Sequence, residues 1–198
     1  MVKKVPYAFL QECDYICTTG NSPFFDLLAV GIRLRTVGFW QMLQTCYATH
    51  NAIVVNIPAS DGTKRFFIAE MLPDGLKINS MKTYMTQEWN KEKIVCVLRN
   101  SIYESQEIRT KRNDAIIEDA NNVVQFGWKG AIKYLWPDEK EVPNEFYCSE
   151  LLQHYAILDG KKIQNEHWTN DDDIPPVGIQ YATNLNCVVS NTDGIVFY

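Results

Sequence analysis

The chain is short of positive charge and of histidine: 19 basic side chains face 24 acidic ones, and only three histidines occur in 198 residues. A net charge of −5 and a pI near 5.2 argue against general nucleic-acid binding, which draws on a basic stripe. The one local basic group, Arg109, Lys111 and Arg112, is diluted by Glu107 and Asp114 and reads as a solvated helix face. Long apolar runs are missing as well, and nothing approaches the roughly 20 residues that span a bilayer. The first residues carry two lysines but neither an adequate apolar stretch nor a small-residue cleavage pattern, so the expected location is the cytoplasm where the chain is made. No Gly-rich phosphate loop, G-x-S-x-G elbow, C-x-x-C pair or H-E-x-x-H helix is present, and neither a cofactor nor a metal is expected. Six cysteines lack the dense, regular spacing of a disulfide scaffold, so reduced thiols are the default.

What is present is the material of a packed domain. Hydrophobic residues at 46% and aromatics at 12% separate the chain from disordered sequences, and its length suits one domain over residues 1–198. Residues 12–19 read as a short strand. Residues 23–47 have helical apolar spacing interrupted by Gly31 and Gly38, which predicts one or two short helices. Residues 50–72 are two β-branched or aromatic runs flanking Ser60-Asp61-Gly62, a hairpin signal. A polar bend follows, then a strand over 93–100 and a helix over 103–126 that Gly127 would end. An aromatic-rich stretch runs from Trp128 to Trp136, and a helix over about 147–158 is stopped by Asp159-Gly160. The last apolar run, 186–198, is expected as edge strands. This order predicts an α+β domain in which an antiparallel sheet packs against helices.

Two places carry candidate chemistry. In a three-residue loop with Gly62 in the left-handed position, paired hairpin residues sum to 122, which sets Glu70 opposite Ala52. His50 and Glu70 are then diagonal neighbours on one face, within side-chain reach; a two-residue turn would put them on opposite faces. A carboxylate beside an imidazole orients the ring and favours its charged form. The plain alternative is a cross-strand surface pair. The second place is Cys148, at the start of the helical run CSELLQHY, with Leu152 and Tyr155 on its stripe. Either it is a buried core thiol, or its thiolate is held by the first-turn N–H groups. Cys13 with Cys17, and Cys46 with His50, have spacings from which a metal site can be imagined, but no recognised motif supports one. His154 reads as packing or helix surface, and His167 as loop.

Three stretches resemble one family. Cys13-Asp14-Tyr15-Ile16 is similar to its Gly-Asp-apolar strand, with Cys13 in the place of the glycine. Thr49-His50-Asn51-Ala52-Ile53-Val54, followed by Ala69-Glu70, resembles its core hairpin. Phe146-Tyr147-Cys148-Ser149-Glu150-Leu151 resembles its nucleophile segment. Together, and in the order His, Glu, Cys, they resemble the circularly permuted papain-like hydrolases of the NlpC/P60 superfamily, in the YiiX-like amidase branch. The resemblance implies a permuted papain-like fold, with Cys148 as nucleophile, His50 as general base and acid, and Glu70 orienting His50. It implies a cysteine hydrolase (amidase or peptidase) acting on an amide bond. Peptidoglycan peptides, N-acyl amino acids and lipid or peptide amides are the expected substrate classes, and a phage or other viral origin stays open. A catalytically silent scaffold that binds lipid or protein, with Trp128, Tyr134 and Trp136 lining a groove, and an acyltransferase with the same triad are the alternatives.

Overall fold

The computed structural model describes residues 1–19, 48–86, 93–122, 124–127, 145–165 and 176–198. The helices expected within 23–47, the aromatic stretch 128–136, Cys46 and His167 lie outside these residues. The described part is α+β, as its sequence pattern predicts.

The hairpin is the clearest case of sequence dictating structure. β-Branched and aromatic residues suit pleated, half-buried positions, and they build β3 (His50–Pro58) and β4 (Lys64–Leu72). Ala59 N–H donates to Thr63 O at 2.9 Å, which leaves Ser60-Asp61-Gly62 as the loop. Gly62 has φ +77°, the left-handed conformation that lacks a steric cost only for glycine. Asp61 Oδ1 accepts from both the backbone N–H and the hydroxyl of Thr63, which tightens the turn. The register runs Ala52↔Glu70 to Pro58↔Lys64, the pairing that sums to 122.

Around the hairpin, β1 (Lys3–Val5), β2 (Tyr15–Thr19), β5 (Gly75–Ser80), β6 (Lys93–Asn100) and β9 (Leu185–Phe197) complete a seven-stranded sheet among the described residues. Its order is β1-β9-β6-β2-β3-β4-β5, antiparallel throughout except where β1 runs parallel to β9. The tail is therefore not at the edge. β9 lies inside, between β1 and β6, because the N-terminal residues 3–5 take the outer position. Residues 75–86, expected as a polar bend, form β5 and the short helix α1 (Met81–Thr86). Leu76 and Ile78 alternate toward the core beneath a polar outer row, and that alternation is what makes the segment a strand.

Pleating gives the sheet two different apolar faces. Tyr15, Cys17, Ile53, Val55, Ala69 and Met71 contribute to one core, on which α2 (Gln106–Asn121) and α3 (Cys148–Leu158) are seated. Ile16, Ala52, Val54, Ile68 and Val97 contribute to the other, with Met81 and Tyr84 of α1. α2 begins after Ser105, whose Oγ accepts from Ile108 N–H. It ends at Asn121, five residues short of the expected end, because the chain leaves to pair with β5. Leu76 N–H donates to Val124 O at 3.1 Å, and β7 (Gln125–Phe126) pairs in parallel with β8 (Glu145–Phe146). The basic group on α2 is not a solvated face. Arg112 is buried and pairs with Asp159 at 2.8 Å, and Arg109 lies 3.2 Å from Glu12; only Lys111 of the three is exposed.

Candidate active site

The hairpin register sets the first half of the site. His50 opens β3, and Glu70 lies near the end of β4, diagonal to it across the strands. His50 Nε2 stands 3.3 Å from Glu70 Oε2, at ion-pair distance but without the alignment of a hydrogen bond. The Glu70 side chain is wholly buried, whereas His50 keeps 14% of its side chain exposed. Asn79 of β5 donates Nδ2–H to Glu70 Oε1 at 2.8 Å, so one carboxylate oxygen is fixed and the other is turned to the imidazole. A buried carboxylate is costly unless its oxygens are compensated; the Asn79 amide compensates Oε1, while Oε2 has the imidazole at ion-pair distance in place of a hydrogen bond. Asn79 was not singled out from the sequence. Its signal is the alternation of Gly75–Ser80, which places Lys77, Asn79 and Glu70 on one face once those residues are read as a strand.

The second half is the start of α3. Tyr147 is the residue before the helix, in extended conformation (φ −97°, ψ 175°), and Cys148 is the first helical residue. Glu150, three residues beyond Tyr147, reaches back to accept from the Tyr147 backbone N–H at 3.3 Å, the carboxylate half of a capping box. The Cys148 thiol is unbridged and nearly buried, at 8% exposure. Leu151, Leu152, Tyr155 and Ala156 anchor the helix in the core. Its last turn closes through Asp159 N–H to Tyr155 O and Lys161 N–H to Ala156 O, at the Asp159-Gly160 stop.

The two halves meet the sheet from different sides. Alternation along β3 and β4 gives His50 and Glu70 the face of Ala52, Val54 and Ile68, while α3 is seated on the face of Ile53, Val55, Ala69 and Met71. Cys148 belongs to that second core, in company with Cys17. Ser149 beside it is fully buried, and its hydroxyl has no hydrogen-bond partner among the described residues. The structure thus brings His50 and Glu70 together on one face of the sheet and places Cys148 at a helix start seated on the other.

Other polar groups near these elements are committed to the scaffold. Asp14 takes a two-pronged bond from Arg99, at 2.7 and 2.8 Å, and a third from Gln11 N–H. Burial nevertheless pushes its carboxyl above the usual range, with Arg99 pulling the other way. Cys13, just before it, has φ +67°, a conformation that disfavours any residue but glycine. The Arg112–Asp159 pair is extended by Tyr103 Oη–H, which donates to Asp159 Oδ2 at 2.9 Å, and the guanidinium lies 4.8 Å over the Tyr155 ring. His154 packs on Phe146, with ring centroids 4.7 Å apart. Among the described residues no group of three or more His, Cys, Asp or Glu is placed to hold a metal ion. No described helix is long and apolar enough to cross a membrane. Comparison of the chain with protein-family models and with curated proteins finds no match.

Proposed function

We propose that this protein is a cysteine-dependent hydrolase acting on an amide bond, with Cys148 as nucleophile, His50 as general base and acid, and Glu70 holding His50. The observation that supports it is the His50–Glu70 pair: a wholly buried carboxylate 3.3 Å from a partly exposed imidazole, aligned by Asn79. Such a carboxylate stabilises the imidazolium that forms when the ring takes a proton from a thiol. The Cys148 thiolate would attack the amide carbon, His50 would pass its proton to the leaving amine, and water would release the acyl group from sulfur. The backbone N–H of Cys148 at the helix start is the natural donor to the developing oxyanion. On this proposal the imidazole must come within hydrogen-bond reach of the thiol. The substrate classes are peptide, N-acyl or lipid amides. A fold of the permuted papain-like type is part of the same proposal, and acyl transfer differs from it only in what resolves the acyl-enzyme.

A second reading, a scaffold that binds without turnover, is favoured by the seating of α3 on the face opposite His50. The rate of Cys148 alkylation as a function of pH, followed by mass spectrometry, separates the two. The hydrolase reading expects fast reaction well below the ordinary thiol pKa of about 8.5, slowed by His50→Ala and by Glu70→Gln. Reaction like that of an ordinary thiol, indifferent to both substitutions, would establish the scaffold.

A further inference from the structure

Two cysteines outside the proposed catalytic set are placed for chemistry of their own. β2 and β6 are antiparallel neighbours, and Cys17 stands directly opposite Cys96. Residues so opposed have Cα atoms roughly 4.5–5.5 Å apart, inside the window of about 4.4–6.8 Å that a disulfide bridges. The two side chains share one face and one core and both are buried; burial chiefly, with the neighbouring Cys96 thiol adding to it, pushes the Cys17 thiol up, so that both sulfurs are close and Cys17 rests as the thiol. On the other flank of β2, Asn51 is directly opposite Cys17 and donates Nδ2–H to its Sγ at 3.2 Å, which fixes the direction of that sulfur. The remaining described cysteines are differently placed. Cys13 points to the Arg109 carbonyl, Cys187 is exposed, and Cys148 belongs to α3.

We propose that Cys17 and Cys96 are an oxidisable pair that closes into a cross-strand disulfide on meeting a small two-electron oxidant of the peroxide class. Two S–H bonds break and one S–S bond forms, and the two protons and two electrons convert one hydrogen peroxide into two waters. One thiol is first oxidised to a sulfenic acid; the facing sulfur then displaces its oxygen as water. A small, uncharged oxidant fits because both sulfurs are covered, and the same cover shields the closed bond from bulkier reductants. The bond would tie β2, with the β3–β4–β5 side of the sheet, to β6, with the β9–β1 side. It is a modification site distinct from the nucleophile proposed above, and does not depend on that proposal.

The test treats the full chain, folded, with hydrogen peroxide, then unfolds it, alkylates the remaining thiols and digests it without reductant. Mass spectrometry is expected to find the Cys17 and Cys96 peptides joined, two hydrogens lighter than their sum, with loss of alkylation at both. The joined species should form equally in Cys148→Ser and be absent from Cys17→Ser and from Cys96→Ala. Urea midpoints of untreated variants show that these fold, and the oxidised wild type should have the higher midpoint. Cys17 and Cys96 both still open to alkylation while oxidation collects at Cys148 or Cys187 would overturn the proposal, as would a Cys17–Cys148 link in place of the expected one.

Discussion

At the scale of single residues, Cys13 shows how a backbone requirement is met by the wrong side chain. Its φ of +67° is a conformation in which a Cβ costs about 1 kcal/mol or more, and which glycine adopts without penalty. The residue persists because its thiol is buried and directed at the Arg109 carbonyl. Two substitutions separate the contributions. Cys13→Ala keeps the strained backbone and loses the sulfur, and should cost about 1 kcal/mol. Cys13→Gly loses more atoms and adds freedom to the unfolded chain, but relieves the strain, so its net change should be near zero, within about 0.5 kcal/mol. Urea unfolding of both variants checks this. An alanine variant more stable than the glycine variant, the usual order, would show that the strain is not stored there.

At the scale of elements, turns carry the register that builds the His50–Glu70 pair, and their glycines are not equivalent. A Cβ at Gly62 would meet nothing within 4 Å, so Gly62→Ala should cost only its φ, about 1 kcal/mol. At Gly75 the φ is +107° and a Cβ would stand 2.7 Å from the Val124 carbonyl oxygen, the acceptor for Leu76 N–H. Gly75→Ala should therefore cost more than about 2 kcal/mol, because it combines strain with a clash against backbone that is itself hydrogen-bonded. Thermal unfolding of the two variants orders them, and equal losses would refute the distinction. The hairpin was legible because alternation and Ser60-Asp61-Gly62 are local signals; they left two loop lengths open, and the three-residue loop that occurs is the one that pairs His50 with Glu70. The start of α3 was legible for the same reason, from CSELL and the Asp159-Gly160 stop. β1 was not, since three residues hold no period, nor was the early end of α2, which depends on Val124 reaching β5. Least legible was the face on which α3 is seated. Helical period tells which stripe is buried, not which side of a sheet will bury it, and that choice is made by the whole core.

At the scale of the molecule, the ionisable groups wedged between helices and sheet couple global stability to pH. His154 is half-buried on α3; desolvation chiefly, helped by the nearby Arg112 charge and opposed by Asp119, holds its pKa below the ordinary 6.5. The folded protein thus resists a proton that the unfolded chain accepts. A depressed pKa of this kind leaves stability intact above 6.5 and removes it progressively as pH falls through 6.5 toward the folded value. Glu12 acts further into acid. Burial pushes its carboxyl up, but Lys64, backbone hydrogen bonding and Arg109 outweigh that, so its stabilising share is present above 4.5 and lost as pH falls below. Asp14, raised by burial despite Arg99, works in the opposite sense, taking up protons more readily folded than unfolded. The three signs predict a decline that begins near neutrality with His154 and continues later with Glu12, while Asp14 works against it. His154→Gln should lower stability most above pH 6.5, where loss of the ring packed on Phe146 is felt in full, and flatten the dependence between pH 7 and pH 5 so that the gap to wild type narrows. Urea midpoints of wild type and variant across that interval measure it. Parallel curves would show that the near-neutral decline does not come from His154.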